Sequence, residues 1–163
     1  MAATSLADLF AFELHFEDAA KVFLAAGVGI DVFVSAESDD FVTPRLEVEF
    51  TAGEGELPWD APITSVPALG AGEFRKYTGE LTARIITDSS AGQTRANHFD
   101  YVAKTRVALL RSQDSWDATT LPYYDLRWIR QVSTMRFADG DFQVTALSYE
   151  IKFGIRDDAF PTS

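Results

Sequence analysis

The sequence predicts a single α+β domain: two helices packed on a mixed or mostly antiparallel sheet that ends in a long C-terminal β-hairpin. Three observations carry this. Helical spacing of apolar residues occurs twice, before residue 27 and after residue 95. Around these segments lie stretches of alternating apolar and polar residues, the pattern of a sheet with one dry face. Between the last two stretches, Asp139-Gly140 is a strong two-residue hairpin turn. The 163 residues show no internal repeat and no composition shift, so 1–163 reads as one domain.

The elements follow in order. Leu9, Phe12, Phe16, Ala19 and Phe23 sit at helical spacing, with Ser5 and Asp8 as a capping box and Gly27 as a stop. They predict one helix from Ser5 to Ala26. Phe10, Phe12, Leu14 and Phe16 also alternate with Ala11, Glu13 and His15, a strand-like signal that the longer helical window outweighs. Asp31–Ala36 and Arg45–Thr51 read as strands, the second with Leu46, Val48 and Phe50 on one face. Pro44 stands at its start, where a missing N–H does least harm.

Residues Ala52–Gly72 hold Pro58, Pro62 and Pro67 with four glycines, which predicts a long loop and no regular element. Tyr77–Thr87 is the third strand, with Leu81, Ala83 and Ile85 on one face, broken by Asp88–Gly92. Phe99, Val102, Ala103, Val107 and Leu110 form the apolar stripe of a second helix over Ala96–Arg111. The hairpin runs up Tyr123–Phe137 and back along Phe142–Ile155. A change of phase in the return strand predicts a bulge near Ala146-Leu147. Fourteen extended residues span roughly 46 Å, more than the ~40 Å diameter of a domain this size. The hairpin, 123–156, is therefore expected to bend or to project.

Charge and motifs narrow the function. The net charge is −11. Residues 1–72 hold thirteen acids against Lys21 and Arg45, whereas 73–163 balance at twelve of each. So acidic a surface repels nucleic-acid phosphates and anionic membranes, though it suits a passage through which DNA slides. No apolar run approaches the ~20 residues of a membrane span, and no leader is expected from Met1-Ala2-Ala3-Thr4-Ser5. The absence of cysteine removes disulfides and thiol chemistry. Neither His15 nor His98 accompanies a nucleophile-elbow serine, and both read as ordinary surface or cap residues. Gly27-Val28-Gly29 follows a helix, the reverse of a dinucleotide fingerprint. Asp39-Asp40, Asp139/Asp141 and Asp157-Asp158 match no calcium loop. No catalytic residue, cofactor or metal is expected. Arg127, Arg130 and Arg136 interleave with Tyr123, Tyr124, Trp128 and Phe137. Together with Trp59 in the long loop, these are residue types concentrated at protein–protein hot spots, and they are the candidate assembly contacts.

The stretches Thr43–Phe50, Tyr77–Asp88 and Asp141–Phe153, the last carrying Leu147-x-Tyr149-x-Ile151, together resemble the tail terminator (tail completion) family of long-tailed bacteriophages. The resemblance implies a tail-terminator-like fold and a non-enzymatic virion protein. Such a protein acts at the head-proximal end of the tail and is assembled in the host cytoplasm. It would form a ring, a homohexamer in the family, that caps the tail tube, stops its polymerisation and offers a surface to the head connector or stopper. It further implies that the hairpin meets neighbouring subunits and that DNA passes through without specific binding. Glu54, Glu56 and Asp60 are the acids assigned to the lumen. A head–tail joining protein of the neck is the nearest rival, and a small hydrolase or ligand-binding module the rival of another class.

Overall fold

The structure, a computed structural model, describes residues 2–34, 41–56, 76–110 and 121–161. Its elements are α1 (Leu6–Leu9), α2 (Phe12–Val28), β1 (Asp31–Val34), β2 (Arg45–Glu56), β3 (Lys76–Asp88), α3 (Arg95–Leu110), β4 (Tyr124–Asp139) and β5 (Phe142–Ile155). The strands form one sheet in the order β1-β2-β3-β5-β4, with β1 parallel to β2 and every other pairing antiparallel. Helices α2 and α3 lie side by side on one face of it. The α+β class and the mixed, mostly antiparallel sheet are as the sequence predicts.

The single N-terminal helix expected over Ser5–Ala26 is two. Ser5 Oγ does accept the Asp8 N–H at 3.0 Å, but the helix stops after Leu9 and restarts at Phe12. The Asp8 carbonyl accepts the Ala11 N–H at 3.2 Å, and His15 Nε2–H adds a second donor to it at 2.8 Å across the break. Nor does Gly27 end α2. The left-handed cap is Gly29, at φ 80°, whose N–H returns to the Ala25 carbonyl. Gly27 serves contact instead, since a Cβ there would stand 2.9 Å from the Ala108 Cβ of α3.

The loop expected from Ala52 starts later. Strand β2 runs through a bulge between Ala52 and Gly55 to Glu56, and residues 57–75 lie outside the described residues. At Gly53 a Cβ would meet Thr78 Oγ1 at 2.8 Å, so this glycine allows the bulge's close approach rather than ending the strand.

Three further expectations change. The bulge near Ala146-Leu147 is absent: β3 and β5 pair without a shift from Lys76↔Gly154 to Asp88↔Phe142. The irregularities sit across the hairpin in β4, at Leu126/Trp128 and Gln131/Ser133. The apparent phase change comes from Thr145, a polar residue on the buried face. The hairpin is also anchored along β5, which pairs with β3 as far as Asp88↔Phe142, and its exposed part is the edge strand β4, where every residue from Arg130 to Asp139 is exposed. Finally, the buried stripe of α3 is His98, Val102, Thr105, Ala108 and Leu109, while Val107 and Leu110 face solvent. Helix α3 opens with a reciprocal cap in which the Asn97 N–H reaches Thr94 Oγ1 and the Thr94 N–H reaches Asn97 Oδ1.

The core centres on Phe16. Its ring stacks on Phe50 at 4.4 Å and on Tyr124 at 5.5 Å, with Phe153 tilted against it at 4.7 Å. Each such ring contributes about 1.5–3 kcal/mol through burial. This cluster clamps α2 to β2, β4 and β5.

Candidate functional site

The candidate contacts fall into three places. Tyr124 opens β4 and Tyr123 immediately precedes it, and both point into the protomer. The Tyr124 hydroxyl donates to the Leu9 carbonyl at 2.7 Å in full burial, and the Tyr123 hydroxyl donates to Asp8 Oδ2 at 3.1 Å. Burial raises both phenols above their usual range. Asp8 is held low, first by the Thr4 N–H, with Tyr123, the Thr4 hydroxyl and His15 also favouring its charge. This knot of Thr4, Asp8, His15 and Tyr123 fastens the N-terminal elbow to β4. It withdraws the two tyrosines from any outer surface, because their hydroxyls and rings are already matched inside.

Trp128, Arg130 and Lys152 meet on the helix-free face. The Arg130 guanidinium stands 4.9 Å and the Lys152 ammonium 5.1 Å from the Trp128 ring. Arg130 also approaches Glu150 at 3.5 Å. Arg127 lies at the Leu126/Trp128 bulge of β4. Towards the hairpin tip, Arg136 stacks over Phe99 of α3 at 4.7 Å, and Phe137 is 53% exposed. Glu54 lies within the bulge of β2 and Glu56 beyond it. Trp59 and Asp60 are outside the described residues.

The helix-free face is polar along its middle. Glu80 of β3 and Glu150 of β5 are directly opposed, and Glu49 of β2 pairs with Arg84 at 2.9 Å. Like charges at one register position oppose sheet formation. Arg130 offsets only Glu150. Towards the tip this face turns apolar, with Phe41 edge-on to Phe142 at 5.5 Å and Arg45 buried against Phe33 and Phe41.

Two features were missed in the sequence. His98, expected on the surface, is buried: Nδ1 and Nε2 each lie 2.8 Å from a threonine hydroxyl, Thr87 and Thr145. Burial and the Arg136 charge depress its pKa, so it is a neutral core residue. The other is a pair of acids on α2. The Phe50 N–H donates to Glu17 Oε2 at 2.9 Å, and the Ala52 N–H to Glu13 Oε1 at 3.3 Å. Their spacing of four on a helix with Phe12 and Phe16 was the available signal.

Among the described residues no cluster of three or more His, Asp and Glu is arranged to hold a metal, and no helix is long and apolar enough to cross a membrane.

Comparison with known proteins places the fold. A chain from a solved structure titled "Virion of native gene transfer agent (GTA) particle" is similar, with a TM-score of 0.52 at 14% identity. The match covers 93% of this chain and 99% of that one. No family model and no curated protein sequence matches. The likeness is therefore one of architecture, spanning nearly the whole of both chains. In this chain β4 is one edge strand of the sheet, and it is exposed from Arg130 to Asp139.

Proposed function

We propose that this chain is a non-enzymatic structural protein of a virion, located at the head-proximal end of a phage-type tail. In this reading it forms a ring, taken as a hexamer, that caps the tail tube and ends its growth. It then presents a surface to the head-side connector or stopper. One observation carries the reading: a chain of a virion particle shares this fold over 99% of its length. The open edge of β4, with Val132, Met135 and Phe137 exposed, supports assembly as its work. Trp128, Arg130, Arg136 and Phe137, together with Arg127 and Trp59, are the proposed assembly contacts. The polar helix-free face, rich in glutamate, suits a lumen that DNA crosses without adhering, and Glu54, Glu56 and Asp60 are proposed to extend it. Replacing those three by alanine should leave ring formation intact, and its loss would contradict a lumen position.

The test is electron microscopy of lysates from a phage or prophage carrying an early stop codon in this gene. Headless tails of abnormal and variable length are expected. Normal-length tails beside separate filled heads would move the assignment to head–tail joining. Intact, joined particles would overturn both.

A further inference from the structure

Among the described residues the sheet ends in β4 on one side and in the short β1 on the other. Because β1 pairs only as far as Val34↔Val48, the second edge passes beyond that point to the outer side of β2, which continues to Glu56. On that second edge the outward N–H groups of Phe50 and Ala52 meet Glu17 and Glu13. The fit is geometric. Four residues of helix rise about 6.0 Å, and two residues of strand about 6.6 Å, so carboxylates at i and i+4 reach N–H groups at j and j+2.

We propose that this stretch of β2 is the acceptor edge for β4 of a second copy, and that Glu13 and Glu17 are placeholders that yield Phe50 and Ala52 to the carbonyls of the incoming strand. Charge selects the partner. Segment 46–56 carries four acids and no base, while 126–138 of β4 carries Arg127, Arg130 and Arg136 and no acid. Two β4 strands pairing with each other would set these arginines against one another, whereas β4 on β2 sets opposite charges together. Two different edges meet, so the contact is heterologous: each added copy presents a fresh acceptor, and rotation closes the series into a ring. The inference deepens the ring reading above and rests on it for closure. It also accounts for restraint in the lone chain, since the outward N–H groups of Phe50 and Ala52 are occupied until a strand displaces the carboxylates.

The absence of cysteine makes the test clean. Chains carrying Thr51→Cys are mixed with chains carrying Val132→Cys, Thr134→Cys or Met135→Cys, oxidised, and read on non-reducing gels, after circular dichroism confirms each fold. Disulfide-linked heterodimers are expected from Thr51→Cys with at least one β4 partner. In sedimentation velocity, E13A/E17A should associate at about tenfold lower concentration than wild type, from loss of two competing hydrogen bonds. E13Q/E17Q, which keeps both acceptors, should stay near wild type, and an equal rise in both variants would overturn the placeholder role. Crosslinking only between β4 cysteines, or oligomers that never link through Thr51→Cys, would overturn the edge assignment while leaving the ring reading standing. E13A/E17A remaining monomeric and unlinked at the highest concentration would also overturn it. The ring reading is judged separately, by the micrographs of the stop-codon particles.

Discussion

The Glu17 carboxylate accepts the Phe50 backbone N–H at 2.9 Å, joining a helix to a strand edge 33 residues away. The contact has two parts with opposite energetic sense. The hydrogen bond is favourable. Holding the charge there is not, because partial burial raises the Glu17 pKa above its ordinary 4.5, with Glu49, Glu13 and Asp18 pushing the same way.

Substitution separates the parts. Glu17→Ala strips the acceptor and should cost about 1 kcal/mol in urea denaturation. Glu17→Gln keeps an acceptor without the charge and should be neutral or slightly stabilising at pH 7. The folded carboxyl binds its proton more readily than the unfolded one, so wild-type stability falls as pH rises through the carboxylate range. Wild type should therefore gain on Glu17→Gln as pH is lowered from 7 towards 4.5; a constant difference across that window would refute the account.

Gly79 of β3 lies under Phe50, and a Cβ there would overlap the ring. The ring cannot swing away, since it stacks on Phe16. Gly79→Ala should cost about 1–3 kcal/mol as overpacking. Thermal denaturation checks this, and an unchanged midpoint would show that the ring has room to yield.

His98 links α3 to β3 and β5 through two threonine hydroxyls. Burial first, then the Arg136 charge, holds its pKa below the ordinary 6.5. The unfolded chain thus takes up the proton before the folded one. The stabilising contribution is intact above about pH 6.5 and shrinks as acid approaches the folded value. His98→Ala should remove that pH dependence and cost about 2–4 kcal/mol from the cavity and two unpaired hydroxyls. Arg136→Gln should move the His98 titration upward in NMR spectra; no movement would mean the arginine is not felt there.

The two neighbouring tyrosines should differ. Tyr124→Phe leaves the Leu9 carbonyl unpaired in full burial and should cost about 1–3 kcal/mol. Tyr123→Phe should cost less, because Asp8 keeps the Thr4 N–H. Equal losses in urea denaturation would contradict this reading of the elbow.

Much of the fold was legible because its strands alternate cleanly. Leu46, Val48 and Phe50, and Leu81, Ala83 and Ile85, all lie on the buried face as the period-two reading places them. The reading failed where polar residues occupy the core. His98 and Thr105 hid the true stripe of α3, and Thr145 mimicked a bulge in β5, because hydropathy cannot register the partners that satisfy a polar side chain: His98 and Thr145 bond each other across elements, and the Thr105 hydroxyl donates back to the Tyr101 carbonyl of its own helix. Glycines misled for a related reason: Gly27 and Gly53 look like breakers, yet each marks a close approach to Ala108 or Thr78. Composition alone singled out Trp128, Arg130 and Arg136 together with Tyr123 and Tyr124, and it could not tell that the two tyrosines turn inward. The spacing of Glu13 and Glu17 put both on one side of α2, but nothing local says that β1 stops short of β2, so their partners on the β2 edge were not legible.

The last strand in chain order, β5, is threaded between β3 and β4. A ribosome delivers β1, β2, β3 and α3 well before it delivers Phe142–Ile155. Until then β3 offers thirteen residues of bare edge, Lys76–Asp88, to whatever strand is nearby. Most of the sheet's pairing is therefore deferred to the end of synthesis, and a nascent chain stalled at the hairpin tip would be sticky rather than half-built. Yield in the cell should depend on how quickly residues 142–155 follow the rest.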